Sequence, residues 1–202
     1  MEKSLPQVVF APAWIGDTAM AAPFFASLRA ALPGRRIEAV ASPWTGGLLE
    51  TYPWIDEVHI LGGGGGVNKW RAFFPLRRRL QKDRRREAWL LPNSFRSALT
   101  ARLIGAERRI GYATDGRGWL LTHPVPAPPH SLPPHLIDYY INILEAQGLQ
   151  PKHREVRLPV TAEAARFADA LLSAEDAGDG GPIVGVHPGA FFGDWKIWKA
   201  ES

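Results

Sequence analysis

Short runs of consecutive apolar residues alternate along the chain with stretches in which apolar residues recur every three or four positions. Val8-Val9-Phe10 is the first run, and Ala21, Phe24, Phe25, Leu28 and Leu32 follow it at helical spacing. Continuous apolar runs are how buried parallel strands read, and the three-to-four spacing is how a helix with one buried face reads. The pattern predicts a strand over 7–11, a helix over 17–32 stopped by Pro33-Gly34, and a strand within 35–41 carried by Ile37, Ala39 and Val40. After the Ser42-Pro43-Trp44 turn it predicts a short helix over 46–51 and a strand over 57–61. A helix over 68–81 follows, with Trp70, Phe73, Phe74 and Leu80 as its apolar positions and Pro75 expected to kink or interrupt it. Ala88-Trp89-Leu90-Leu91 marks a strand over 87–91, then a helix to about residue 104 and a short strand at Ile110-Gly111-Tyr112. Residues 119–122 read as extended, 123–135 as a long loop, 136–147 as a helix stopped by Gly148, 155–158 as extended and 162–172 as a helix. Strands alternating with helices at short spacing predict an α/β fold, a parallel sheet with helices on its faces and right-handed crossovers.

The best linker in the chain is Ser-Ala-Glu-Asp-Ala-Gly-Asp-Gly-Gly-Pro at 173–182. Ile183-Val184-Gly185-Val186-His187 behind it reads as a new buried strand, and Pro188-Gly189-Ala190 as a tight loop. A strand and its loop cannot make a domain. The expectation is therefore a first domain over 1–172, a linker over 173–182, and the start of a truncated second domain over 183–202.

Composition narrows the function classes. With 46% hydrophobic residues among 202, a real core is feasible. The chain has no cysteine, which excludes disulfides, thiolate zinc sites and cysteine nucleophiles. There is no uninterrupted apolar stretch of the length a membrane span needs, and Met1-Glu2-Lys3-Ser4 lacks the features of a signal peptide, so a cytoplasmic protein is expected. The net charge of +4 is local in origin, with Arg71, Arg77, Arg78, Arg79, Lys82, Arg84, Arg85 and Arg86 close together. The plain reading is a solvated helix face; the sharper one is attraction to anionic acceptors or to the inner face of an anionic inner membrane, as a peripheral contact. Nucleic acid ranks last as a partner, because no aromatic platform is interleaved with the run.

Candidate chemistry lies where strands end. Five glycines, Gly62–Gly66, invite a phosphate-loop reading, but Val67 breaks the GxGxxG spacing and no GxxxxGK[ST] occurs, which leaves a surface loop. A dinucleotide oxidoreductase also needs an acidic residue after strand two, where Ser42 and Pro43 stand. His123, His130 and His135 lack the carboxylates and spacing of a metal site, so no metal is assigned. Three strand-end loops remain. Trp14-Ile15-Gly16-Asp17 opens a helix, with Asp17 either capping it or facing the crevice as a base. Pro92-Asn93-Ser94-Phe95-Arg96-Ser97 opens another, with groups for hydroxyls and an anion. The third is His187-Pro188-Gly189-Ala190.

Together, Trp14-Ile15-Gly16-Asp17, Leu91-Pro92-Asn93-Ser94-Phe95-Arg96-Ser97-Ala98 and His187-Pro188-Gly189-Ala190 with Phe192-Gly193, Lys196 and Trp198 resemble the lipopolysaccharide heptosyltransferases of glycosyltransferase family 9, most closely the heptosyltransferase II type. Order and spacing match over nearly the whole chain. The resemblance implies two Rossmann-like domains facing across a cleft, the GT-B architecture, and inverting transfer of heptose from ADP-heptose to a sugar hydroxyl of the inner core. It implies an acceptor held by the N-terminal domain and a nucleotide held by the C-terminal one. Asp17 matches the family's general base. Trp14, Gly16, Asn93, Ser94 and Arg96 match the acceptor side, and Gly189, Ala190 and Lys196 the donor side. The chain departs from the family at Phe191, where glutamate is usual, and at Lys199, where proline is frequent; the family's later donor motif has no counterpart. No Asp-x-Asp run is present, so a metal-independent route without a cofactor is expected, the leaving diphosphate leaning on Lys196 and backbone N–H groups. The competing reading is an inactive remnant, an acceptor-binding domain without its donor half.

Overall fold

A computed structural model of the chain describes residues 5–62, 67–80, 86–129, 131, 134–174, 184–187 and 189. Six strands form one sheet: β1 (Gln7–Phe10), β2 (Ile37–Ala41), β3 (Glu57–Ile60), β4 (Glu87–Leu90), β5 (Arg108–Tyr112) and β6 (His123–Val125). Their order is β3-β2-β1-β4-β5-β6, and every pairing is parallel. The helices are α1 (Ile15–Met20), α2 (Ala22–Ala31), α3 (Gly46–Glu50), α4 (Val67–Leu80), α5 (Phe95–Leu103), α6 (Leu136–Glu145) and α7 (Ala162–Ala174).

Alternate strand residues point to opposite faces, which gives the sheet two cores. Val9, Ala39, Trp89, Ile110 and Tyr112 bury against Phe24, Phe25 and Leu28 of α2 and Ile141, Ile143 and Leu144 of α6. Val8, Phe10, Val40, Ala88 and Leu90 bury against Phe73, Leu76 and Leu80 of α4 and Ala98 and Ala101 of α5. Trp89 is the largest of these fully buried side chains, and its indole N–H donates to Gln7 Oε1 at 2.7 Å.

Several expectations are corrected. The single helix over 17–32 is two, α1 and α2, because Pro23 near the start of α2 has no N–H to continue the ladder. Pro75, by contrast, stands inside an uninterrupted α4. Residues 118–120 form one 3-10 turn rather than an extended segment, and the expected long loop contains β6. Among 184–187 no regular element forms, and Val184 and Val186 are 78% and 71% exposed. A buried strand there would need paired neighbours and covering helices, and none of the described strands pairs with it. By contacts the chain divides into two compact units, Met1–Pro159 and Val160–Ser202. Among the described residues, no helix is long and apolar enough to cross a membrane.

At the amino end of the sheet, Glu38 and Arg86 are each 3% exposed and paired at 2.8 Å. His59 Nε2 donates to the same carboxylate at 3.0 Å, Arg36 Nε lies 2.8 Å from its other oxygen, and Arg36 also pairs with Glu57. Arg86 Nε donates to Leu80 O at 2.5 Å. Arg86 therefore leaves the solvated basic face on which the sequence reading placed it. Burial pushes the Glu38 carboxyl up. The His59 hydrogen bond and the Arg86, His59 and Arg36 charges outweigh this and hold it below its ordinary range. Glu38, Glu57 and His59 are close enough to ligate a cation. Two guanidinium groups already neutralise those carboxylates, so the cluster is a salt-bridge network.

Candidate functional site

In an open parallel sheet, ligands bind beyond the carboxyl ends of the strands, where the strand order reverses. Here that point lies between the neighbours β1 and β4. β1 leads away through β2 to β3, and β4 leads the other way through β5 to β6. The register pairs Phe10 with Leu90, so the loops after β1 and β4 leave the sheet side by side. These are the two loops that carry Trp14, Gly16 and Asp17, and Asn93, Ser94 and Arg96.

After β1, Trp14 stands at the N-cap position of α1 with no side-chain capping bond. Thr18 ties the turn, its hydroxyl donating to Trp14 O at 2.9 Å. Asp17 lies in the first turn of α1, half-buried, so the capping role considered for it is not the one it has. Among the described residues, its carboxylate has no hydrogen bond or ion pair to a side chain. A negative charge in this turn is favoured by the free N–H groups of the helix start. Trp14 is 61% exposed, and a Cβ added at Gly16 would meet nothing within 4 Å. The loop is open above Gly16.

After β4, Ser94 is the N-cap of α5, its hydroxyl accepting from Ser97 N at 3.3 Å. Ser97 is buried and donates to Ser94 O at 2.7 Å. Asn93 donates to Tyr139 Oη at 2.7 Å. Arg96 is exposed, and among the described residues its guanidinium has no ion pair. It is the group in this loop best placed to meet an anion.

Tyr139 and Arg117, which the sequence reading missed, organise the crevice together with Tyr140 and Tyr112. Tyr139 of α6 receives the Asn93 amide and stacks on Tyr112 at a centroid distance of 4.2 Å, and Tyr112 Oη donates to Tyr139 O at 2.6 Å. Its neighbour Tyr140 is buried, and burial together with the nearby Asp17 charge pushes its phenol above the ordinary range. Burial likewise raises Tyr112, with Tyr139 adding to it. α6 thus reaches both loops. Arg117, fully buried, lies beneath the β4 loop, and burial lowers the pKa of its guanidinium against the opposing influence of Tyr139 and Asp115. The sequence signal for these residues was only Tyr139-Tyr140 at a helix start and Asp115-Gly116 in a turn.

Of the donor-side candidates, Gly189 is exposed with open space at its Cβ position. Ala190 and Lys196 lie outside the described residues, as do Phe191, Phe192, Gly193, Trp198, His130, Lys82, Arg84 and Arg85. A cavity of about 560 Å³ lined by Ala26, Trp54 and residues of 151–157 lies away from the crevice, with Trp54 ahead of β3.

A parallel 3-2-1-4-5-6 sheet with two polar loops at its switch point is a Rossmann-like domain of the kind found in GT-B glycosyltransferases. The sequence profile of glycosyltransferase family 9 (heptosyltransferase) matches residues 73–202, and the chain belongs to that family. Lipopolysaccharide heptosyltransferase 2 of Salmonella typhimurium is 26% identical over 200 residues, and that of Escherichia coli K12 is 27% identical. The alignments take in 95% of this chain and 56% of each relative, so the chain spans about half the length of the curated relatives it matches. The solved E. coli ADP-heptose lps heptosyltransferase II superposes with a TM-score of 0.65 at 25% identity, covering 84% of this chain and 51% of that one. A family 9 glycosyl transferase from Veillonella parvula shares the fold with a TM-score of 0.77 at 22% identity, over 89% of this chain and 52% of that one.

Proposed function

We propose that this chain carries the acceptor side of an enzyme that transfers heptose from ADP-heptose to a sugar hydroxyl of the lipopolysaccharide inner core, with inversion. The observation that carries the reading is the juxtaposition of the β1 and β4 loops at the switch point of a family 9 domain. Asp17 acts as general base on the acceptor hydroxyl. Trp14, Gly16, Asn93, Ser94 and Arg96 line the acceptor side, Asn93 and Ser94 through the loop they hold and Arg96 through its charge. The first unit is the acceptor domain. Residues 183–202 open the donor half, where Gly189, Ala190 and Lys196 meet the donor and Lys196 neutralises the departing diphosphate. The Arg77–Arg79 face of α4 suits peripheral contact with an anionic membrane surface at the cytoplasmic side.

The test is heptose transfer to a deacylated inner-core oligosaccharide, followed by mass spectrometry, with the anomeric configuration read by NMR. Asp17→Asn should lower the rate by about 10²–10⁴-fold and leave oligosaccharide affinity unchanged. A variant that transfers at the wild-type rate would exclude Asp17 as the base.

A further inference from the structure

Arg117 has no exposed surface, yet its hydrogen bonds all go to neutral oxygens. Nε donates to Tyr112 O at 2.9 Å. Nη1 donates to Pro92 O, to Ser94 O at 3.3 Å and to Ser97 Oγ at 3.0 Å. Nη2 reaches Asn93 Oδ1 at 3.4 Å. Among the described residues it forms no ion pair. Burying a charge without a direct ion pair is costly, and the oxygens that converge on the guanidinium offset that cost, helped by the nearby Asp115 charge. Every residue it holds, Tyr112 apart, lies in the loop after β4 or in the first turn of α5 that the loop opens.

The local backbone is built to aim it there. Asp115 and Gly116 both have left-handed φ, +52° and +66°, and Arg117 N donates to Thr114 O at 3.0 Å, which closes a tight turn. Asp and Gly are the residues that accept this conformation. Gly111 in β5 makes room, since a Cβ there would lie 3.3 Å from Arg117 Nη2 and 3.0 Å from Leu90. The chain then forms the 118–120 turn and puts Trp119 at the surface, 70% exposed, its ring 6.0 Å from that of Phe95 at 53°. Phe95 opens α5 between Ser94 and Arg96, directly after the β4 loop. One connection thus places a buried cation under that loop and an exposed aromatic face beside it.

We propose that the β5–β6 connection is a second wall of the acceptor site. Arg117 is a positioning residue that fixes the groups of the 92–97 loop. The exposed indole face of Trp119, flanked by the tilted Phe95 ring, is presented to the C–H face of a pyranose ring in an anionic oligosaccharide. This inference rests on the acceptor reading above.

Titration of the 202-residue chain with deacylated inner-core oligosaccharide tests it, with Arg96→Ala as reference. Trp119→Ala should raise the Kd at least tenfold with an unchanged Tm, and Trp119→Phe should regain most of the affinity. Arg117→Lys should raise the Kd similarly and speed amide exchange across 93–97. Wild-type affinity in both Trp119→Ala and Arg117→Lys, with Arg96→Ala weakened, would overturn this inference and leave the acceptor reading standing. A wild-type chain that does not bind the oligosaccharide would overturn both.

Discussion

At the scale of single residues, the charges that matter most are the buried ones. Arg86 is bonded to Glu38 and to Leu80 O with almost no exposure. Removing it leaves a buried carboxylate with half-exposed Arg36 and His59 as partners, which costs on the order of 3 kcal/mol. Arg86→Met should shift the urea midpoint down accordingly; an unchanged midpoint would mean that Arg86 is not part of a coupled network. The same network sets a pH dependence. Burial raises Asp56 too, but the Ile37 N–H and Arg29 bonds hold it below its ordinary range, as the network does Glu38. The folded chain therefore binds fewer protons than the unfolded one around pH 4, and stability rises with pH there. That stability is present above the ordinary carboxyl range and is lost as pH falls through the lowered values. Thermal midpoints taken downward from pH 6 should fall steadily below about pH 5, and a flat profile would contradict the assignment. None of this was legible in the sequence, where Arg86 closed a basic run and Glu38 was one polar position in an apolar strand.

At the scale of elements, close backbone approach decides which glycines matter. A Cβ at Gly111 would sit 3.0 Å from both Leu90 Cβ and Leu90 O, inside the β4–β5 pair. A Cβ at Gly46 would meet only the Ile60 side chain, Cδ1 closely and Cγ1 at 3.6 Å, and the tip of that half-exposed side chain can rotate away. Gly111→Ala should therefore cost about 1–3 kcal/mol by overpacking, and Gly46→Ala much less. Comparison of the two Tm values checks this, and equal losses would contradict it. Most elements were legible because Val8-Val9-Phe10 and Ala88-Trp89-Leu90-Leu91 can only be buried runs, and Leu136–Gln147 has a helical face. The break at Ala21 was present in the chain as Pro23, but the apolar spacing ran straight through it. β6 was hidden because His123-Pro124-Val125 has no strand pattern of its own and is held by pairing to β5. The apolar run at 183–187 shows the converse, since sequence pattern alone cannot supply the neighbours a buried strand needs.

At the scale of the whole molecule, the parallel sheet and its switch point were implied by the alternation of elements, and the two polar loops by the residues that end β1 and β4. What the sequence could not reveal was the third participant. α6 delivers Tyr139 to Asn93 and Tyr140 to the neighbourhood of Asp17 from a distant part of the chain. The described crevice belongs to the first unit alone, so its occupancy can be read directly in this chain. The measurement to make is a ¹H–¹⁵N correlation spectrum of the 202 residues, titrated with deacylated inner-core oligosaccharide. Shifts concentrated on the amides of Trp14, Gly16, Asp17, Asn93, Ser94 and Arg96 are the expected result. Shifts confined to 151–157 around the separate cavity, or no saturable shift in either loop, would contradict an acceptor site at the β1–β4 switch point.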